Sequence, residues 1–206
     1  METQNVKIVN CDPSALGLFG LAMVTLVASS QKLGITCGTS LVIPWAIFLG
    51  GFAQLFACIN DSKRDNVLGT VTFGAFALFW FAVGATWLIN NGVFGESIQA
   101  QIDGLQLGFG FLGYLIFAIV MTVGFTTTNK VLFIDFIFID LLLLGLTLSA
   151  FGFMPEFSNK LAGVSELLIS VISFYAFAAT VLNQHFGTTF LPLGKPIRTI
   201  ASFKKA

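Results

Sequence analysis

The spacing of the charged residues is the feature of this sequence that most restricts its fold. Asp, Glu, Lys and Arg are absent from five long stretches, residues 13–31, 33–60, 66–95, 104–129 and 167–194. About 20 residues of apolar helix cross a bilayer core about 30 Å thick, so each stretch can hold one span. A sixth apolar segment, 131–153, contains Asp135 and Asp140. We therefore predict an all-α integral membrane protein, a single domain over residues 1–206 with six transmembrane helices near 14–31, 41–60, 67–90, 105–127, 131–153 and 161–183.

Composition supports a membrane protein built from helices. Hydrophobic residues make up 56% of the chain and charged residues 10%, whereas an average soluble domain has about 25% charged residues. A membrane β-barrel would need short segments of alternating polarity. The stretches here are instead long, continuous and rich in Leu, Phe, Ala and Gly, which favours helices.

The distribution of Lys and Arg predicts the orientation in the membrane. Basic residues concentrate on the cytoplasmic side of membrane proteins, and six crossings place both tails on one side with loops 61–66 and 128–130. The opposite side holds only Lys32 and Lys160. The first side holds eight basic residues, Lys7, Lys63, Arg64, Lys130, Lys195, Arg198, Lys204 and Lys205. Both termini are expected in the cytoplasm, with the helices in contact with the lipid of the cell membrane.

Several other classes of protein do not fit the sequence. The longest predicted loop, 91–104, has no nucleophile and base, and the acids within the helices, Asp135, Asp140 and Glu166, lack neighbouring His or metal-ligand clusters. We therefore expect no enzyme activity, no metal and no cofactor. A short basic tail and a pI near 6.5 argue against nucleic-acid binding. Cleavage of the first helix as a signal peptide would remove the regular charge asymmetry, so we expect that helix to be retained.

Polar side chains form sparse stripes on two predicted helices. At 100° per residue each stripe lies on one face, and polar groups in hydrocarbon turn inward. Such stripes can line a pathway, or they can hold packed helices together through hydrogen bonds; the sequence alone leaves both open. The stripe on the third helix consists of Thr72, Thr86 and Asn90, with Phe76 and Phe79 on the same face. The stripe on the sixth helix consists of Glu166, Ser170, Ser173, Thr180 and Gln184.

Two acids in the fifth helix, Asp135 and Asp140, need an explanation of their own. They lie five residues apart, about 140° around a helix, so both cannot face one pore. A charged Asp at mid-bilayer costs about 3 kcal/mol. Asp135 follows Lys130 closely and can reach the interface, whereas Asp140 lies deeper. If one of the two carries protons, Asp140 is the better candidate.

Four segments together resemble the acetate uptake transporter family, the succinate-acetate permeases. "DPSALGL" at 12–18 resembles the signature Asn-Pro-Ala-Pro-Leu-Gly-Leu that begins the first helix in this family. "GGFAQLFA" at 50–57, "FW" at 79–80 and "VLNQHFGTTFLPLG" at 181–194 resemble later segments, in the same order and at similar spacing. Asp12 and Ala15 depart from the signature.

The resemblance implies a homohexamer in which each protomer has its own narrow pathway for acetate and related small carboxylates, including succinate. It places the constriction of that pathway at Leu21, Phe76 and Ile139, where the family often has Phe, Tyr and Leu. Phe76 lacks the Tyr hydroxyl, which affects the expected substrate preference. The residues expected to contact the substrate are Gly17, Thr25, Gln54, Thr72 and Phe79.

The start of the first helix is expected to attract an anion. Gly17 and its small neighbours leave room there, and the free N–H groups of a helix N-terminus favour negative charge. The Asp12 carboxylate would partly oppose this attraction. We therefore expect backbone N–H groups and Gln54, and not Asp12, to contact the substrate carboxylate.

The charge of the substrate makes proton-linked transport the favoured mechanism. A small carboxylic acid has a pKa near that of Glu, about 4.3, and is almost wholly ionised at pH 7. An anion in an apolar constriction carries a large desolvation penalty. A proton that travels with the substrate removes this penalty, with Asp140 or Glu166 as the candidate relay. The alternative is a channel for small neutral solutes such as urea or amides, which needs no proton.

Overall fold

A computed structural model describes residues 12–199 of the chain. Six helical segments in this range are long and apolar enough to cross a membrane, which confirms the expected all-helical fold. The second span, Val42–Ser62, is continuous but contains a π-helical segment, Ala46–Ala53, between α2 and α3. The helices are α1 (Ser14–Lys32), α2 (Val42–Trp45), α3 (Gln54–Ser62), α4 (Val67–Asn90), α5 (Glu96–Gln99), α6 (Gly104–Phe125), α7 (Lys130–Ala150) and α8 (Pro155–Phe186).

The last helix, α8, begins at Pro155 and therefore earlier than the expected start near 161. The charges of Glu156 and Lys160 suggested a loop, but both side chains are exposed on the first turns of the helix. Proline suits the first turn because no helical hydrogen bond is lost there. Gly145 of α7 packs directly against the backbone of α8, so this part of α8 is already within the bundle.

Side chains that accept backbone N–H groups fix the starts of three spans. Asn66 accepts from Gly69 N at 3.1 Å, and Asn129 accepts from Leu132 N at 3.0 Å. Asp103 accepts from Leu105 N at 2.9 Å. These caps satisfy donors that a helix start leaves free, and they set where α4, α7 and α6 begin.

Close packing against the π-helical segment brings the first half of the bundle together. The carbonyl oxygen of Leu49 occupies the position that a Cβ at Gly20 would take, so α1 and the π-helical segment touch through their backbones. Gly50 packs closely against the side chain of Trp80 on α4, which fills the space that a Cβ at Gly50 would need. The α3 helix follows immediately and begins with Gln54, whose side chain is buried.

Contacts between loops divide the bundle into two ends. At the end that we call the tail end, Arg64 Nη1 lies 3.1 Å from Asp12 Oδ1, and Arg198 N donates to Thr126 O at 2.9 Å. At the opposite end, Asn91 Nδ2 donates to Thr39 Oγ1 at 3.0 Å. The segments predicted to share one membrane side therefore meet at the tail end. Lys7, Lys204 and Lys205 lie outside the described residues, and the side of the membrane stays a prediction.

The segment after α8 folds back onto the tail end through Asn183. Its Oδ1 accepts from Phe190 N at 2.7 Å and from Leu191 N at 2.8 Å, and its Nδ2 donates to Leu191 O at 2.8 Å. Tyr175 adds a hydrogen bond to Pro192 O at 2.8 Å. These contacts give the closing segment at 181–194 a structural role.

Candidate functional site

Five cavities follow one another from the tail end of the described bundle to the opposite end. We call them the tail, inner, neck, outer and loop cavities. Their volumes are about 510, 130, 20, 180 and 620 Å³ in that order. The smallest lies in the middle, so the row is widest at its ends and narrows at mid-bundle.

Each cavity shares three lining residues with the next, which shows that the five form one row. The shared residues are Ser14, Leu18 and Leu132 between the tail and inner cavities, Leu21, Phe76 and Ile139 between the inner and neck cavities, Phe79, Trp80 and Leu142 between the neck and outer cavities, and Thr86, Asn90 and Leu107 between the outer and loop cavities.

Leu21, Phe76 and Ile139 separate the inner cavity from the neck cavity, and we call these three residues the neck. They come from α1, α4 and α7, and all three are buried. The Phe76 ring has four aromatic neighbours with ring centroids 5.8–6.2 Å away, Phe79, Tyr114, Phe117 and Phe136. The structure thus brings together the three residues expected at the constriction, and their effect on transport stays a prediction.

Three buried polar side chains line the inner cavity and carry atoms that have no hydrogen-bond partner within the described part of the chain. These atoms are Gln54 Nε2, Thr72 Oγ1 and Asp135 Oδ1. The other oxygen of Asp135 accepts a hydrogen bond of 2.8 Å from Ser173. Buried polar atoms in proteins are nearly always paired, so three unpaired atoms in one cavity favour a small polar ligand or water. Among the described residues that line this cavity, none is Lys, Arg or His.

The outer cavity has a different chemistry, because a basic residue lies in its wall. Lys32 Nζ lies 2.9 Å from Glu166 Oε2, and both residues line the cavity. The Glu166 side chain is 2% exposed and the Lys32 side chain 17%. Trp80 lines the same cavity, and its buried indole N–H has no acceptor among residues 12–199. This wall therefore contains a lysine ammonium group and a tryptophan whose N–H is free to donate.

Two further residues expected in the substrate pathway also lie in the row of cavities, and two others do not. Thr25 lines the neck cavity, where its hydroxyl donates to Leu21 O at 2.7 Å, and Phe79 lines the neck and outer cavities. Gly17 lines none of the five; the Phe73 ring fills the space beside it. Asp140 lines none either, and its Oδ2 accepts a hydrogen bond of 2.8 Å from Thr122 on α6.

The donors at the start of α1 are partly occupied by the chain itself. Asp12 Oδ1 accepts from Ser14 N at 3.0 Å and lies within ion-pair distance of Arg64. The expected attraction of an anion to this helix start is therefore reduced by a carboxylate already in place.

The two polar stripes have different roles in the structure. All five residues on the stripe face of α4 line cavities of the row, as expected for a pathway. On α8, Ser170 donates to Ala22 O at 2.8 Å and Ser173 donates to Asp135. These bonds join α8 to α1 and α7. The other three members line cavities, Glu166 the outer cavity and Thr180 and Gln184 the tail cavity, so the stripe on α8 both connects helices and lines the row.

Sequence reasoning missed Asp135, Lys32 and Trp80 as cavity residues. Closeness to Lys130 suggested that Asp135 reaches the interface, but Asp135 is buried because its face of α7 turns toward α8. Ile139 lies one helical turn after Asp135 and on the same side, which was an available signal. Nothing in the sequence pairs Lys32 with Glu166, 134 residues away.

Comparisons with known proteins identify the family of this chain. Residues 2–194 match the model of the GPR1/FUN34/yaaH family. The chain is 30% identical to the succinate-acetate/proton symporter SatP of Escherichia coli over 93% of this chain and 98% of that protein. It is 30% identical to ammonia transport outward protein 2 of Saccharomyces cerevisiae, over 84% of this chain and 63% of that protein.

A solved structure also resembles this one. The structure of the bacterial acetate channel SatP matches with a TM-score of 0.79 and 26% identity, over 91% of this chain and all of that chain (100%). The sequence resemblance inferred from four short segments is thereby confirmed over nearly the whole length. The chain belongs to the GPR1/FUN34/yaaH family.

Proposed function

We propose that this protein moves acetate and related small carboxylates, including succinate, across the cell membrane together with a proton. The observation that carries the proposal is the row of five cavities, which narrows at three apolar side chains in the middle of one protomer. The names of the relatives, a succinate-acetate/proton symporter and an acetate channel, support the substrate class.

We further propose that both termini lie in the cytoplasm and that six copies assemble as a homohexamer. Five described basic residues lie in the segments of the tail end, Lys63, Arg64, Lys130, Lys195 and Arg198, which supports a cytoplasmic tail end by the distribution of positive charge. The hexamer rests on the family resemblance. Phe48, Phe52 and Phe109 are exposed on the outside of the protomer, where lipid or a neighbouring copy can cover them.

The inner cavity supports passage of the neutral acid through the neck. An anion there would meet the Asp135 carboxyl group and no basic residue among the described lining, and the apolar neck offers it no hydrogen bond. A protonated acid avoids this desolvation penalty. Its O–H can donate to Asp135 Oδ1, and its carbonyl oxygen can accept from Gln54 Nε2 or Thr72 Oγ1. These three atoms are the unpaired atoms of the cavity.

Asp135 therefore replaces Asp140 as the acid that we assign to the inner part of the pathway. Asp140 is bonded to Thr122 and lines none of the five cavities, so a role as proton relay has no support from its position. Glu166, the other candidate relay, lines the outer cavity.

Reconstituted vesicles test the proposed function. Labelled acetate uptake should accelerate when the outside is made more acidic than the lumen, and the entering acid should acidify the lumen. An uncoupler that collapses the pH gradient should remove the acceleration, and protein-free vesicles give the background of acid that crosses lipid alone. Uptake above that background that is indifferent to the gradient would contradict proton-linked movement.

A channel for small neutral solutes is the second candidate, because the neck is apolar and the described lining of the inner cavity holds no base. Competition separates the two candidates. If carboxylates are the substrates, unlabelled succinate should reduce labelled acetate uptake, whereas urea and formamide at the same concentration should not. Strong inhibition by urea or formamide, together with measurable urea flux, would favour the neutral-solute channel.

A further inference from the structure

The outer cavity contains a buried ion pair that the proposed pathway does not explain. Lys32 ends α1, and Glu166 lies near the middle of α8. Their charged atoms are 2.9 Å apart, and the carboxylate is almost fully buried. An ion pair in such a place is not required for stability, because apolar pairs of similar volume often stabilise as well or better. Its place in the wall of the outer cavity indicates a function.

We propose that the outer cavity is a binding site for a small carboxylate anion, in which Lys32 receives the anion when Glu166 takes up a proton. This inference rests on the proposed function for the identity of the ligand. It adds a second site to the pathway, on the opposite side of the neck from Gln54 and Asp135.

The donors in the wall fit a carboxylate. A lysine ammonium group has three N–H donors, and the structure uses one of them for Glu166. Trp80 adds a buried indole N–H that no described residue accepts. A carboxylate has two oxygens and accepts from both kinds of donor. The remaining wall is largely apolar and aromatic, with Phe79, Trp87 and Phe111, which suits the short hydrocarbon part of such an acid.

The charge balance links the anion to a proton. With Glu166 ionised, the pair is neutral, and an incoming carboxylate meets a second negative charge beside Lys32. When Glu166 is protonated, the Lys32 ammonium group loses its negatively charged partner, and the anion can take the place of the Glu166 carboxylate. One proton and one anion then enter together. The proton can pass from Glu166 to the carboxylate, which leaves a neutral acid for the neck and restores the Lys32–Glu166 pair.

Other charged groups on the elements packed around Glu166 do not take the place of Lys32. The helices packed against α8 are α1 and α7. Within the described chain, Asp135 and Asp140 on α7 are bonded to Ser173 and Thr122 instead. The charged or titratable residues of these three helices are Lys32 on α1, Lys130, Asp135 and Asp140 on α7, and Glu156, Lys160, Glu166, Tyr175 and His185 on α8. Asp103 lines the neighbouring loop cavity.

Trifluoroacetate is the probe that tests this site. Its fluorines keep the carboxylate ionised between pH 5 and 8, so any proton taken up from solvent on binding is held by a group of the protein. Binding to the purified full-length protein can be followed by ¹⁹F NMR between pH 5 and 8. The wild-type affinity should rise as the pH falls, with up to one proton taken up for each anion bound.

Two variants separate the roles of the pair. Glu166→Gln leaves Lys32 without a competing carboxylate, so trifluoroacetate should bind with an affinity that no longer changes with pH. The double variant Lys32→Met/Glu166→Gln keeps the volume of the pair without its charges. Its affinity for trifluoroacetate should be about 10- to 100-fold lower than that of the wild type at pH 5, as expected for loss of a hydrogen bond to a charged group. Helical content and elution volume in gel filtration check the fold of each variant.

The outcomes distinguish this inference from the proposed function. Binding that does not vary with pH in the wild type, or that is unchanged in the double variant, would overturn the outer site even if vesicles still take up acetate. If the wild type binds trifluoroacetate as expected but moves no acetate across vesicles, the proposed transport fails and the anion site stands. Should Glu166→Gln not fold, the wild type and the double variant still decide the question.

Discussion

Truncation of Phe76 in the neck is the change with the clearest expected result. Its side chain is 5% exposed, and removal of a buried Phe side chain costs about 3–5 kcal/mol of stability in protein cores. Ring contacts with its four aromatic neighbours, at centroid distances of 5.8–6.2 Å, contribute to this loss of stability, at about 0.5–1.5 kcal/mol for a pair. We therefore expect Phe76→Ala to lower the melting temperature in detergent.

The same change should speed transport. The neck cavity has a volume of about 20 Å³, which is room for about one water molecule. Loss of the ring joins it to the inner cavity of about 130 Å³, so water can follow the substrate through the neck. One additional hydrogen bond from water to the neutral acid at this point lowers the barrier by about 1 kcal/mol, which corresponds to about fivefold faster flux.

Labelled acetate and butyrate uptake into vesicles measures this effect, with protein content matched by immunoblot. Phe117→Ala is the matched control, because Phe117 contacts the Phe76 ring at a centroid distance of 5.8 Å but lines none of the five cavities. It should lower stability and leave flux and size selection unchanged. If Phe76→Ala leaves acetate flux unchanged or slows it, and butyrate is excluded as before, the neck is not where we place it.

Three further predictions follow from the same structure. Asp135→Asn should slow acetate transport about threefold to tenfold through loss of a hydrogen bond to the substrate, while Asp140→Asn should stay within twofold in the same vesicle assay. Equal losses would remove Asp135 from the pathway. Gly20→Ala should lower the melting temperature because its Cβ would meet a backbone oxygen, whereas Gly113→Ala, with open space around it, should be neutral or gain up to about 1 kcal/mol in helix propensity. Cys37 is exposed at the end opposite the tail, so in a variant whose other two cysteines, Cys11 and Cys58, are replaced by serine it should react with a membrane-impermeant maleimide added to intact cells. Labelling only after lysis would reverse the proposed orientation.

The helices and their order follow directly from the sequence. Each charge-free stretch is long enough to cross a bilayer, and in hydrocarbon a backbone must satisfy its hydrogen bonds within the segment, so helix formation depends on local composition alone. The π-helical segment within the second span was not predicted. It arises at Ala46–Ala53, where Gly20 and Gly50 allow backbone and ring contacts with two other helices.

The candidate site likewise contains residues that the sequence predicted and residues that only the packing of the helices placed there. Leu21, Phe76 and Ile139 could be named in advance because short motifs set the alignment to a known family, and the structure places the three side chains together. For Asp135 and Asp140, depth along the helix was a poor guide, since depth does not determine which face of α7 turns inward. That choice depends on the packing of α7 between α6 and α8.

Local hydrophobicity thus determined by itself that this chain forms six membrane-spanning helices, because the cost of a charge or an unpaired backbone group in lipid acts on each segment separately. Only the tertiary structure decided which polar residues face a cavity and which join helices. Ser173 contacts Asp135, Lys32 contacts Glu166, and Gln54 and Thr72 keep unpaired atoms beside the neck. Such partners lie on different helices and far apart in sequence, and their pairing depends on the rotation of each helix within the bundle.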